Sequence, residues 1–139
     1  MKNKTVYIAS DHAGFKLKMQ LLKIFPKIAD LGTKSNESVD YPDFAHKLTK
    51  HVLKNKENVG ILICGTGVGM SIAANRKKGI RAGLVNSSKI ARLIRKHNDA
   101  NVLVLPGRFI NTNEAKKCVQ TFLSTKFESG RHKKRIKKI

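Results

Sequence analysis

Only two cysteines, Cys64 and Cys118, occur in the 139-residue chain. Two thiols make no disulfide framework, and a reducing, cytoplasmic setting is the expectation. No apolar run approaches the roughly 20 residues needed to span a bilayer, so no membrane partner is expected. Met1-Lys2-Asn3-Lys4 leads straight into the strand-like run Val6-Tyr7-Ile8-Ala9, without a signal-peptide core or cleavage site. Linkers, internal repeats and low-complexity blocks are missing too, apart from a basic tail at 131–139. The expectation is therefore one domain over residues 1–139.

Acidic residues are scarce. Nine stand against 29 basic ones, a formal charge of +20. Only seven of the 29 are arginine, and the lysines run from Lys2 to Lys138 with little aromatic interleaving. A nucleic-acid site usually gathers its cations on one face, with arginines or aromatics that read or stack on bases. A solvated lysine-rich surface that steers anionic small molecules is the simpler reading. A basic nucleic-acid-binding protein is the alternative from another functional class.

Strand-like and helix-like segments alternate along the chain. Strands are expected at 5–10, 27–31, 59–64, 80–85 and 101–105, and helices at about 14–25, 43–55, 69–76, 87–97 and 113–124. The strands are short and apolar on both faces, as in a parallel sheet covered on both sides. Leu17, Leu21, Leu22 and Phe25 form an apolar stripe on the first helix, as do Phe44, Leu48 and Val52 on the second. Ser87 fits an N-cap for the fourth helix and Asn113 one for the last. Repeating βα units imply a Rossmann-like, doubly wound α/β fold: about five parallel strands between two helical layers, a three-layer α/β/α sandwich. Ligands of such folds sit beyond the C-terminal strand ends.

At one such end, Val59-Gly60-Ile61-Leu62-Ile63 runs into Cys64-Gly65-Thr66-Gly67-Val68-Gly69 and a helix. A thiol, a loop rich in outward N–H groups and a helix N-terminus favour a thiolate and a bound oxyanion in one place. No Lys-Ser or Lys-Thr follows the last glycine, so this is no Walker A loop, and the dinucleotide fingerprint is incomplete. A tight turn and an anion hole for a small ligand are the two readings left. Cys64 itself reads as either a small core residue or a reactive thiol, and the loop favours the latter. Cys118, on the last helix, has no such loop and reads as structural.

Other strand ends carry Asp11-His12 and Gly107-Arg108, and the helix before the last strand ends at His97-Asn98-Asp99. His12 and His97 map to the predicted rim, whereas His46, His51 and His132 fit the usual surface or satisfied core histidine. Asp11 serves equally as a cap for the first helix or as a site residue. Arg108, Arg131 and Arg135 are either part of the basic surface or, by their planar forks, phosphate ligands.

With these motifs in order, the chain resembles the type B ribose-5-phosphate isomerases of the wider ribose/galactose isomerase group. The resemblance rests on Ser10-Asp11-His12-Ala13-Gly14, Asp40-Tyr41-Pro42, Cys64 through Gly69, Ser71 through Asn75, His97-Asn98-Asp99 and Gly130-Arg131-His132. It implies reversible conversion of D-ribose 5-phosphate to D-ribulose 5-phosphate, in the pentose phosphate pathway, with neither metal nor organic cofactor. By the resemblance, Cys64 is the base that moves a proton between carbons 2 and 1 through an enediolate. The amides of Gly65, Thr66, Gly67, Val68 and Gly69 would stabilise the enediolate oxygens, and Thr66 would assist proton movement between them. His97 would open the furanose ring, with Asp11 nearby. His12, Arg131 and Arg135 would hold phosphate, Arg108 and Asn98 would complete the site, and Tyr41 would line it. The site would lie at a homodimer interface, with His97 and Asn98 contributed by the partner chain; pairing of dimers into tetramers is left open.

One branch of the group uses a glutamate in the loop where Met70 stands here, which makes this the cysteine type. Galactose-6-phosphate isomerases divide these motifs between two different subunits, so their union in one chain favours a homodimer and the pentose. A six-carbon sugar phosphate, such as allose or galactose 6-phosphate, is the alternative substrate. Two departures from the pattern are Pro106, which bears on the turn at Gly107-Arg108, and the short run after Arg135, which bears on higher assembly.

Overall fold

The computed structural model describes residues 4–139. Its elements alternate as β1 (Val6–Ser10), α1 (Phe15–Ile24), β2 (Ala29–Asp30), α2 (Tyr41–Val52), β3 (Val59–Cys64), α3 (Val68–Asn75), β4 (Ala82–Leu84), α4 (Ser88–Asn98), β5 (Val102–Pro106), α5 (Thr112–Ser124) and α6 (Arg131–Ile136). The strands form one parallel sheet in the order β2-β1-β3-β5-β4.

Strand periodicity explains the layers. All six residues of β3 are buried, as a central strand requires. Val59, Ile61 and Ile63 face one core with Leu17 and Leu21 of α1, Ala91 of α4, and Val119 and Phe122 of α5. Leu62 and Cys64 face the other, with Leu48 and Val52 of α2 and Met70 and Ala73 of α3. Each large aliphatic or aromatic side chain so buried contributes about 1.5–3 kcal/mol of transfer free energy. The three-layer α/β/α sandwich follows.

The chain leaves β1 outward, through α1 to β2, then returns across the opposite face through α2 to β3. Adjacent strands β1 and β3 therefore send their following loops in different directions. That divergence opens a crevice at their C-terminal ends. The sheet's edge strands, β2 and β4, are shorter than the expected segments.

Three local expectations change. The last long helix is capped by Asn111, whose side chain accepts from the Glu114 N–H at 2.8 Å, and Asn113 lies inside the first turn. Asn111 has the extended backbone a cap needs, with an acidic residue three positions on. Helix α2 begins at Tyr41, because Pro42 in the first turn lacks only an N–H that would go unused there. The basic tail is folded: α6 packs against α4 and buries His132. Ser87 caps α4 as expected, accepting from the Ile90 N–H at 3.3 Å.

Candidate active site

A cavity of about 440 Å³ opens at the switch between β1 and β3. The end of β1 contributes Asp11, His12 and Ala13; β3 and its loop contribute Cys64, Gly65 and Thr66; α3 contributes Val68, Gly69 and Ile72. Tyr41 from α2 and Arg108 from beyond β5 close the walls. Nine of the residues expected at the site thus share one cavity. Ala13 and Ile72 were not anticipated; their small or apolar side chains carry no chemical signal.

Backbone hydrogen bonds carry the sheet past its formal ends and fix this wall. Asp11 N–H donates to Ile63 O at 3.2 Å on one side of Cys64. On the other, Gly107 N–H donates to Cys64 O at 2.8 Å and Arg108 N–H to Gly65 O at 3.0 Å. Pro106 pairs in register with Cys64 and is the last residue of β5. Cys64 itself is 5% exposed.

Gly67 caps α3 in the left-handed region, at φ 79°, where a side chain would be strained and would also collide with Leu84. It therefore shapes the loop from behind, outside the cavity lining. Gly69 lets the Tyr41 ring approach: a Cβ there would sit 2.5 Å from Cε1 and Cζ of that ring. Arg108 lies over Gly65, its Nη1 3.1 Å from where a Cβ would be. The guanidinium is thereby placed beside the loop amides.

Polar side chains in the cavity have one function committed and another free. The Asp11 carboxylate accepts from Gly14 N–H at 3.0 Å, closing the turn into α1, while the residue still lines the cavity. The capping expectation is therefore corrected: the N-cap of α1 is Gly14, without a side-chain cap hydrogen bond, and Asp11 closes the turn that precedes it. His12 Nδ1 accepts from Val39 N–H at 3.2 Å. An imidazole that accepts at Nδ1 carries its proton on Nε2, which is then a donor for an anionic oxygen. Thr66 Oγ accepts from Val68 N–H at 3.2 Å and keeps its own proton to give.

His97, Asn98, Arg131 and Arg135 do not line this cavity. They stand where the end of α4 meets α6. His97 stacks on His132, with ring centroids 4.3 Å apart and planes 16° from parallel. His132, taken from sequence as an ordinary surface or satisfied histidine, is instead buried with Nε2 lacking a hydrogen-bond partner. The end of α4 is braced at Asp99, a left-handed residue (φ 47°) that follows Asn98. Arg81 Nε donates to its carbonyl at 2.8 Å, and Arg95 Nη1 to its carboxylate at 2.9 Å. Neither arginine carried a sequence signal that set it apart from the basic surface.

His97, Glu128 and His132 offer ligand atoms within 4.8 Å of one another, the kind of trio that can hold a metal ion. The stacked rings do not fit that use. Their in-plane lone pairs run side by side and cannot converge on one ion at about 2.0–2.1 Å until a ring turns. Cys118 is inert by its surroundings. Burial, and secondarily the Glu114 carboxylate, push its thiol up to about 12. No helix among the described residues is long and apolar enough to cross a membrane.

Comparison with known proteins gives concordant matches. The family model described as Ribose/Galactose Isomerase matches residues 6–139. A probable ribose-5-phosphate isomerase B of Mycoplasma pneumoniae is 49% identical, over 99% of this chain and 93% of that protein. Among solved structures, the ribose 5-phosphate isomerase of Thermotoga maritima is 52% identical, with a TM-score of 0.94 over 99% of this chain and 97% of the other. The Mycoplasma genitalium ribose-5-phosphate isomerase B, solved with bound ribulose-5-phosphate, is 46% identical, with a TM-score of 0.91 over 99% and 95%.

Proposed function

The chain belongs to the ribose/galactose isomerase family, and from that premise we propose how it interconverts D-ribose 5-phosphate and D-ribulose 5-phosphate. The observation that carries the reading is Cys64 on the wall of a cavity that also presents loop amides, the Thr66 hydroxyl and two cationic or donor side chains, His12 and Arg108.

The reaction needs a base for a weakly acidic C–H next to a carbonyl. Cys64 removes the proton from carbon 2 of the open-chain aldose, and the electron pair of that bond moves through the new carbon–carbon double bond to leave negative charge on the oxygen of carbon 1. The resulting enediolate is held by those N–H groups of the 65–69 loop that face the cavity, with Gly67 shaping the loop from behind and the Val68 N–H spent on Thr66 Oγ. Thr66 relays the proton between the two oxygens. Return of a proton from Cys64 to carbon 1 completes the ketose. Asp11, Tyr41 and Arg108 orient the sugar, and His12 meets the phosphate through Nε2–H. Rigid anchoring of the phosphate places carbons 1 and 2 against the thiol.

The remaining members, His97, Asn98, Arg131 and Arg135, reach a site from a second copy of the chain. The cavity rim supports a homodimer: Val68 (49% exposed), Ile72 (58%) and, nearby, Phe109 (72%) form apolar surface that a second copy would cover. His97 from that copy opens the furanose ring, and Arg131 and Arg135 complete the phosphate pocket.

The test is a coupled assay of ribulose 5-phosphate formation with wild type and Cys64→Ala. Loss of the base is expected to lower turnover by about 10²- to 10⁴-fold with an unchanged circular dichroism spectrum. Undiminished turnover removes Cys64 from the role. Preferential turnover of allose 6-phosphate overturns the assignment of the pentose.

A further inference from the structure

Two imidazoles lie face to face where α6 meets α4. His97, on the last turn of α4, is half-buried, and His132 is 6% exposed. Buried imidazole nitrogens ordinarily have hydrogen-bond partners. His132 Nε2 has none, although Glu128 Oε1 stands 3.5 Å away out of hydrogen-bonding alignment. No hydrogen bond thus orients the ring at Nε2, and what His132 presents to His97 is a flat ring at stacking distance.

The segment bearing that ring is fastened to the helix bearing His97. Glu128 N–H donates to Lys96 O at 3.1 Å, and Glu128 Oε2 lies 3.6 Å from Lys96 Nζ. The next turn is closed by His132 N–H donating to Ser129 O at 3.2 Å. The two stacked rings are thus linked through the backbone as well as face to face.

We propose that His132 is a positioning residue for His97, setting the plane in which its ring nitrogens meet the sugar. The proposal rests on the isomerase reading above and on the ring-opening role given there to His97. Opening a furanose breaks the bond between carbon 1 and the ring oxygen, gives that oxygen a proton and takes one from the anomeric hydroxyl. An imidazole serves these oxygens only along its in-plane nitrogen directions. Rotation about the last side-chain bond of histidine is broad, so a half-exposed ring needs an external constraint. The buried ring of His132 supplies it.

His132→Leu and His132→Phe separate the contributions. Both fill the buried space without a polar atom, but only phenylalanine is flat. Two readouts are taken: turnover of ribose 5-phosphate, and incorporation of solvent deuterium at carbon 1 of ribulose 5-phosphate. The ketose is open-chain, because its oxygen 5 carries the phosphate, so the exchange needs enediolate formation and no ring step.

His132→Leu is expected to lower kcat on ribose 5-phosphate by about tenfold, the scale of a misaligned catalytic group, with KM within about twofold and deuterium exchange retained. His132→Phe restores most of the turnover. In a His97→Asn background, His132→Leu adds no further loss. An unchanged kcat in His132→Leu, a parallel fall in exchange, or failure of phenylalanine to rescue overturns the proposal. Wild-type protein without turnover or exchange overturns the isomerase reading itself, and a normal His97→Asn removes the ring-opening role.

Discussion

Subunit complementation tests whether a complete site is built from two chains. The perturbation is a pair of variants, Cys64→Ala and His97→Asn, each removing one member of the proposed pair. The cavity holding Cys64 is lined by residues from β1, α2, the β3–α3 region and the turn after β5, and by none from α4 or α6. If His97 serves the partner's thiol, each variant homodimer lacks one essential residue at both of its sites. A mixed dimer differs. One of its sites joins an intact Cys64 to an intact His97, and the other has lost both. Random assortment makes half of the dimers mixed, so turnover per chain should recover to about a quarter of wild type, and to about half in isolated mixed dimers. The assay is ribose 5-phosphate turnover after co-expression of differently tagged variants and tandem purification, with each parent's residual rate subtracted. Recovery no greater than the parents' rates, in dimers shown to be mixed, refutes the shared site. It would mean that His97 acts within its own chain or has no part in turnover.

Two further outcomes follow from local geometry. Gly69→Ala puts a Cβ into the space of the Tyr41 ring, which is free to swing because Tyr41 is 39% exposed; kcat/KM should fall about tenfold with little change in melting temperature, and a similar loss in a Tyr41→Ala background would deny the steric cause. Cys118, pushed up to about 12 from the usual 9.0, stays protonated when folded and ionises when unfolded as pH rises above 9. Its raised folded-state pKa therefore favours the folded chain fully below pH 9 and progressively less above it. Urea midpoints of wild type relative to Cys118→Ala should accordingly decline between pH 9 and 12, and a constant difference would count against the burial argument.

The sheet and its layers were readable because periodicity and burial coincide here: β3 and β5 are apolar on both faces, and α1 and α2 each carry an apolar stripe. The Cys64 loop was readable because glycine spacing and a strand end are local facts. What escaped was non-local. Nothing in Lys96, Glu128 or His132 announces that a basic tail folds back on α4, since α6 is short and its stability comes from docking rather than propensity. Asn111 and Asn113 are both good caps by composition, and only the backbone chooses between them. Arg81 and Arg95 looked like members of a lysine-rich surface, and their convergence on Asp99 depends on the tertiary fold. The division of site residues into two clusters was signalled only by resemblance.

The hydrogen bonds that run past the ends of β3 and β5 have a dynamic consequence. Loops around binding sites generally open easily and exchange their amide hydrogens early. Here the amides of Gly107 and Arg108, at the mouth of the cavity, donate to Cys64 and Gly65 as though the ladder continued. Their exchange should be slow, close to that of the central strands, while Thr66, whose amide belongs to no such ladder, exchanges fast. The thiol wall would then behave as a fixed anvil, and any adjustment to the sugar would fall to the helices that approach it.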